Sequence, residues 1–387
     1  MPSVPPPSSS HVVVVGAGIL GTALARQLAL GGARVTVLDR EGPAAGATSA
    51  AFAWLTNQTY FRNGTSLSDG TSRHYFGLHR LALGAWRRLH HELGDALAVR
   101  WGGTVQLAPG HGAEHDLLRN DLHRRLTWGS PSRAITATEA RKLLPDAVVA
   151  DDAVGFFTPD EGSVDPARAV AALVDAGTGL GVDFRYGTEV TAVEGAGNRA
   201  RAVVTPTGRI ECDHVVVACG ADTPPLLDPL GVTVPLVASS GTIVHLAPLP
   251  PFLERVFLSS DVHAIQRTDG RVVLARHYTG TPVSDPAGLD GDGLLADAAT
   301  VLPPLRRAQI EKVTVGRRIV PADGLPVIGR SPVYHNVHSV TTNAGITLGP
   351  CLAQLLSTEV LYDVRVDVLE PYRSTRFAAA GGPAAPA

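Results

Sequence analysis

A chain of 387 residues with 44% hydrophobic and 18% charged side chains is long enough for two domains and apolar enough to build a sizeable core. A net charge of −3 with no basic block argues against nucleic-acid binding as the main task, and no stretch approaches membrane-spanning length. Three scattered cysteines, Cys212, Cys219 and Cys351, offer neither a disulfide framework nor a C-x-x-C metal site, and point to a reducing, cytoplasmic setting. Only Lys142 and Lys312 are lysines, so the positive charge is almost all arginine, which reads as the coding bias of a GC-rich bacterial genome.

Residues 1–10, rich in Pro and Ser, read as a disordered tail. The first patterned stretch is His11 to Glu41. Val12 to Val15 is an unbroken β-branched run, the signature of a strand buried on both faces of a parallel sheet. The chain turns at Gly16-Ala17-Gly18, and apolar residues then recur at helical spacing from Ile19 to Leu30. Gly31-Gly32 stops the helix before a second strand, Arg34 to Leu38. Gly16, Gly18 and Gly21 give the G-x-G-x-x-G spacing: the first permits the turn, the second lets a pyrophosphate approach the backbone, and the third lets helix pack on strand. Phosphates would lie at the helix N-terminus, where free N–H groups and the dipole favour anions. Asp39 closes the second strand, where an acid accepts hydrogen bonds from ribose hydroxyls and repels a 2′-phosphate. An ordinary glycine-rich βα turn lacks this combination of strand, helix and acid, so the stretch predicts a dinucleotide site.

Next comes Gly46-Ala47-Thr48-Ser49-Ala50-Ala51, a run of small residues that either lets the backbone pass close to a flat ligand or is a plain surface loop. Thr56 to Arg73 reads as a mobile loop and His74 to Leu93 as a helix. Trp101 to Leu107 reads as a strand, Asp116 to Leu126 as a helix, and Thr138 to Leu144 as a short helix capped at its first threonine. Asp165 as N-cap and Pro166 in the first turn start a helix reaching about Thr178. Short strands follow at Val182–Arg185, Glu189–Val193, Ala202–Thr205 and Ile210–Cys212. The run His214 to Val217 is another buried strand, opening into a small-residue turn of the kind where a parallel sheet receives its ligand.

Beyond Leu226 the character changes. Val232–His245, Val256–Leu258, Ala264–Gln266 and Val272–His277 read as strands of an antiparallel sheet. Leu289 to Leu302 is helical, Ala308 to Gly316 returns as a strand, and Gly349-Pro350 reads as the start of a helix ending near Leu361. Residues 377–387, rich in Ala, Gly and Pro, read as a second disordered tail. His111 and His115 lie four apart, but Gly110 and Gly112 favour a loop over a metal-binding helix face. Neither H-E-x-x-H nor G-x-S-x-G occurs, so the reading includes no metal and no serine nucleophile.

Six segments in order carry a resemblance: the opening βαβ unit, the loop at 46–51, Asp160 to Pro166, Val215 to Asp222, Val315 to Gly329, and Asn343 to Pro350. Together they resemble the D-amino-acid oxidase superfamily of FAD-dependent oxidoreductases, nearest its glycine oxidase and sarcosine oxidase branch, from His11 to about Arg376. The resemblance implies an α/β fold, with a Rossmann-like FAD-binding domain and a second α+β substrate domain built on a mainly antiparallel sheet. The FAD-binding domain would comprise 11–80, 158–231 and 317–376, and the substrate domain 81–157 and 232–316.

By the same resemblance, FAD contacts fall on Gly16, Gly18, Ile19, Leu20, Gly21, Asp39, Arg40, Thr48, Ser49, Ala50, Val190, Cys219, Gly220, Gly324, Gly345, Ile346, Thr347 and Leu348. Arg318 matches an arginine whose planar fork grips a substrate carboxylate; a structural salt bridge is the other reading. Arg276 and His277, with Tyr278, end a strand and serve either the substrate or ordinary surface packing. Gly316 stands where sarcosine oxidases carry a flavin-linked cysteine, so the FAD is expected to be non-covalent, and contact between Cys351 and the flavin stays open. The strand Val272–His277 lacks the lysine that assists oxygen reduction in that branch.

The implied activity is oxidation of the C–N bond of an amino acid or related carboxylate-bearing amine, with hydride passing from the α-carbon to flavin N5 to leave an imine. Its partners would be that small molecule and O2 or another electron acceptor, with no nucleic acid and no membrane insertion. Two alternatives remain: a dehydrogenase serving specialised metabolism with a non-oxygen acceptor, and a non-catalytic flavin-bound scaffold, against which Arg318 argues. A nicotinamide enzyme is opposed by the segments at 324–329 and 345–349.

Overall fold

In the computed structural model, which describes residues 10–57, 67–276 and 290–380, the chain forms two compact units from interleaved stretches. The first unit takes the chain up to Ser49, then Pro166–Ala238, then Arg318 onward. The second takes Ala50–Asp165 and Ser239–Arg317. The unit boundaries thus follow residues 49, 165, 238 and 317, beside the 80, 157, 231 and 316 of the sequence reading. The first shows the widest separation, because the helix over residues 69–93 packs with the second unit.

The described elements begin with β1 (His11–Val15), α1 (Ile19–Leu30), β2 (Arg34–Leu38), β3 (Trp54–Leu55), α2 (Asp69–Leu93), β4 (Val99–Arg100) and β5 (Thr104–Ala108). They continue through α3 (Ala113–Thr127), β6 (Arg133–Ile135), α4 (Ala137–Leu143), β7 (Val154–Thr158), β8 (Gly162–Val164), α5 (Pro166–Gly179) and β9 (Asp183–Arg185). Then come β10 (Ala192–Ala196), β11 (Arg199–Thr205), β12 (Gly208–Glu211), β13 (His214–Val217), α6 (Thr223–Leu227), β14 (Leu236–Leu246), β15 (Val256–Leu258) and β16 (His263–Gln266). The last are β17 (Val272–Ala275), α7 (Gly291–Val301), β18 (Ile310–Pro321), β19 (Val327–Arg330), β20 (Val337–Thr341) and α8 (Gly345–Tyr362).

The first unit is built on a six-stranded sheet in the order β19-β20-β13-β1-β2-β9. All neighbours run parallel except β19, which closes one edge antiparallel to β20. The valine run of β1 is wholly buried because it sits mid-sheet with both faces covered. Helix α1 packs against α5 and α8, while β10-β11-β12 form a small sheet whose Ala200 and Val203 join Val215, Val217 and Val337 in one core. The result is an α/β Rossmann-like layer.

The second unit holds an eight-stranded sheet, β18-β14-β17-β16-β15-β5-β7-β6, which is mainly antiparallel, with β15 and β5 paired in parallel. Its core joins Val105, Phe257 and Leu274 of the sheet to Ala140 of α4 and Leu294 of α7. Glu161 is fully buried there. It accepts from Arg125 Nη1 at 2.8 Å, Thr56 Oγ1 at 3.1 Å, the Asn57 amide at 2.9 Å and Trp54 Nε1 at 3.1 Å, while Asp121 takes Arg125 Nε at 3.0 Å. Within the segment 160–166, Glu161 is therefore a structural counter-ion.

Several element ends depart from the sequence reading. Helix α2 starts at Asp69, inside the stretch read as loop, because Ser68 Oγ accepts the Thr71 amide and caps it. Helix α4 is capped by Thr136, not Thr138, in a capping box with Glu139. His115 lies on α3 beside Asp116 at 3.1 Å, and His111 beside Asp152 at 3.7 Å. Helix α8 starts at Gly345, and Pro350 is inside it rather than at its first turn. Residues 377–380, read as part of a disordered tail, lie instead in a 3-10 turn that spans Ser374–Ala380, with Phe377 packed on the first unit's core under the Arg376 guanidinium; 381–387 lie outside the described residues. Among the described residues, no helix is long and apolar enough to cross a membrane.

A dinucleotide cradle at the head of the parallel sheet

Three glycines shape the turn after β1. Gly16 has φ of +109°, and a Cβ there would stand 2.6 Å from the Ala218 carbonyl oxygen. A Cβ on Gly21 would lie 1.9 Å from the Gly16 oxygen, so only hydrogen fits where α1 crosses the turn. At Gly18 the nearest atom to a Cβ is Thr48 Oγ1 at 3.1 Å, and that hydroxyl accepts the Ile19 amide at 3.2 Å. The small-residue loop thus reaches the helix N-terminus through Thr48. Ser49 Oγ donates back to the Gly46 carbonyl at 3.1 Å, and Ala50 follows at the unit boundary.

Two helices open at this cradle with no capping bond from their own N-cap residues. Gly18 and Ala344 are the N-caps of α1 and α8; neither offers a capping side chain, and neither first turn holds an acid. The helix starts are adjacent: a Cβ on Gly349 would be 3.3 Å from Ile19 Cγ1, and one on Gly345 would be 3.9 Å from Ile19 and Leu20. The Thr48 hydroxyl takes the Ile19 amide of α1, and the positive dipole end of each helix favours negative charge. Because α8 begins at Gly345, residues Gly345, Ile346, Thr347 and Leu348 are its first turn rather than a preceding loop. Cys351 lies one turn further in and is buried.

Asp39 is tied to the backbone on three sides. Its Oδ2 accepts the Ala17 amide at 2.8 Å, and its Oδ1 accepts those of Glu41 and Gly42 at 2.8 and 3.0 Å. Its own carbonyl takes the Thr188 amide at 2.8 Å, two residues before the buried Val190. Arg40 Nη2 meets Asp222 Oδ2 at 2.9 Å. Across the sheet, burial pushes the Cys219 thiol up to about 11, so it is neutral at ordinary pH and adds no negative charge where phosphates would lie. Gly220 has φ of +63° and faces Ile319 of β18. Gly324 completes a turn at φ +78°, its amide donating to the Pro321 carbonyl at 2.7 Å, while the neighbouring Asp323 holds Arg376 at 2.7 and 3.0 Å.

Arg318 is half-buried on β18, two residues after Gly316, so the strand period puts both on one face and the exposed Arg317 on the other. Arg276 is exposed and spends its guanidinium on Asp297 of α7 at 2.6 Å, the arrangement of a surface ion pair. His277 lies outside the described residues. The sequence reading passed over two participants. One is the Ala17 amide, which nothing in the residue type signals. The other is Asp222, whose only signal is an acid at the end of the turn after β13.

This arrangement of uncapped helix starts, glycine hollows and a ribose-side acid at the heads of parallel strands defines a Rossmann-type dinucleotide-binding protein, and the donors present fit the diphosphate of FAD. The profile of the DAO family, described as FAD dependent oxidoreductase, matches residues 11–358. The chain belongs to that family, within the D-amino-acid oxidase superfamily; it is an enzyme with FAD as cofactor. It is 28% identical over 381 residues to glycine oxidase of Pseudomonas aeruginosa, spanning 94% of this chain and 97% of that protein. The crystal structure of glycine oxidase from Geobacillus kaustophilus matches with a TM-score of 0.81 at 24% identity, covering 95% of this chain and 99% of that one. That of iminodiacetate oxidase from Chelativorans sp. gives 0.78 at 25% identity, covering 94% and 98%.

Proposed function

We propose that this oxidoreductase removes two electrons from the C–N bond of an amino acid or related carboxylate-bearing amine, yielding an imine that water hydrolyses. When bound, FAD supplies the hydride acceptor at its N5 atom. The chain's own part is binding, orientation and electrostatics. Gly18 and the first turn of α1 hold the diphosphate by backbone N–H groups, and Asp39 meets the ribose with the lone pairs that its three amide bonds leave open. The first turn of α8 offers its positive dipole end to negative charge on the flavin ring. Arg318 fixes the substrate carboxylate by two parallel charge-assisted hydrogen bonds, which set the α-carbon in place. Holding donor and acceptor in line is worth up to ~7–11 kcal/mol of barrier and calls for no side-chain nucleophile.

The observation that carries this reading is the half-buried Arg318, a charged fork on the same strand face as the buried Gly316, while its neighbour Arg317 is exposed on the other. Gly316 also supports non-covalent FAD, because a Cβ there would fall 2.8 Å from the Ala50 carbonyl oxygen and leaves no room for a linking side chain. Relatives named glycine oxidase and iminodiacetate oxidase agree with a small amine that carries a carboxylate.

A second reading concerns the electron acceptor. Lys142 and Lys312 are both exposed and β17 is wholly apolar, which favours a carrier over oxygen if a lysine is what promotes oxygen reduction. The test is the anaerobic visible spectrum of the purified protein with glycine, sarcosine, proline and D- and L-amino acids. Bleaching of the flavin by one class supports the reading, and recovery on admitting air assigns oxygen as acceptor. A flavin that none of them bleaches overturns the amino-acid assignment.

A further inference from the structure

The strand order places β2 and β13 on either side of β1. The glycine turn leaves β1 between them, and the cofactor diphosphate has to sit over that turn. From the end of β2, Arg40 reaches to Asp222 in the turn after β13, closing an ion pair at 2.9 Å. The two side chains therefore span both flanks of the cradle, a separation of two strand spacings, roughly 10 Å at the backbone. Both are nearly half exposed, at 48% and 43%, so neither is held in place by packing. An exposed pair of this kind contributes little to folding. Asp222 would moreover place an unbalanced negative charge beside a diphosphate if Arg40 were not matched to it.

We propose that Asp222 is a positioning residue for cofactor retention: it draws Arg40 across the mouth of the nucleotide cradle, and the pair acts as a clasp that slows FAD release. Asp39 anchors one end of this clasp. Its bonds to the amides of Glu41 and Gly42 fix the backbone on the C-terminal side of Arg40, and its bond to Ala17 ties that corner to the glycine turn. Asp222 acts through Arg40 and has no part in the chemistry of the substrate.

The experiment uses the FAD-loaded full-length protein, diluted into buffer containing an excess of a flavin-scavenging apoprotein, with release followed by flavin fluorescence. Asp222→Asn should speed release by roughly two- to five-fold, the range open to a partly exposed ion pair. Arg40→Met should do the same, and Asp222→Asn should add nothing to it. The swap Arg40→Asp with Asp222→Arg should restore slow release, and added salt should quicken release from the parent protein more than from Asp222→Asn. Melting temperatures confirm that the variants are folded. Release from Asp222→Asn at the parent rate overturns the proposal, as does an equal acceleration by Asp222→Asn in the Arg40→Met background.

Discussion

Replacing His338 with leucine should make the protein less sensitive to acid without weakening it at neutral pH. His338 lies on β20 with 1% of its surface exposed, and neither ring nitrogen has a hydrogen-bond partner among the described residues. Burial, then the positive fields of His214, Arg330 and Arg373, push its pKa from 6.5 down to about 3. The folded-state value lies below that of the unfolded chain, so the unfolded chain takes up the proton first as pH falls. Its contribution to stability is thus intact above pH 6.5 and is lost progressively as the pH falls towards 3. Between pH 7.5 and pH 5 the loss from this one side chain is ~2 kcal/mol, about a thirty-fold change in the unfolding equilibrium. Leucine has similar volume and removes two buried, unbonded nitrogens, so it should be neutral or stabilising at pH 7.5. Urea unfolding of the FAD-loaded protein at both pH values, followed by tryptophan fluorescence, measures the difference. If His338→Leu loses as much stability as the parent between them, or is already several kcal/mol weaker at pH 7.5, the reasoning is wrong.

Three further outcomes follow from the same geometry. Gly21→Ala should cut FAD affinity by at least about ten-fold in a flavin titration, because α1 must move off the Gly16 carbonyl, and Gly18→Ala should weaken it as well, because a Cβ there stands between the diphosphate and the backbone; an unchanged affinity in either variant would contradict the cradle. Arg318→Met should lower kcat/KM for a carboxylate-bearing amine by about a hundred-fold with the flavin spectrum unchanged, and Arg318→Lys should fall between, as expected for loss of a two-bond ionic contact. Arg125→Met leaves Asp121 and Glu161 buried without their cation and should cost about 3–5 kcal/mol, and an unchanged melting temperature would refute that ledger.

The sequence was most legible where one local rule acted alone. The glycine spacing, the valine run and Asp39 each had a single mechanical reason to be where they are, and β1, α1 and β2 follow from them. Reading failed where two rules competed. Proline is favoured in a first turn and disfavoured inside a helix, so Pro350 reads as a start. The true start, Gly345, carries no capping side chain, and nothing in Gly345 to Gly349 announces it. Asp69 to Arg73 is polar and holds a glycine, which argues for a loop, yet Ser68 caps the turn and Tyr75, Phe76 and Trp86 bury the rest of α2. Thr136 and Thr138 both stand at the head of the same helical stretch, and only the reciprocal bond between Thr136 and Glu139 separates them. The cradle's cross-sheet partners were out of reach for another reason. Asp222 stands 182 residues from Arg40, and no local pattern encodes a contact over that distance.

The strand order of the first unit also bears on how the protein is made. β1 leaves the ribosome well before its partner β13, which follows some two hundred residues later, and β20, which covers the far side of β13, ends at Thr341. The valines of β1 therefore emerge with no strand to pair with on that side, during a wait of many seconds at ordinary synthesis rates. Chains cut short before β20 and α8 leave the parallel sheet with an open, apolar edge, the kind of surface that recruits chaperones or aggregates. Yield of the native enzyme should thus be limited by late events in translation, and C-terminal truncations should be found in the insoluble fraction even though they retain the whole glycine motif.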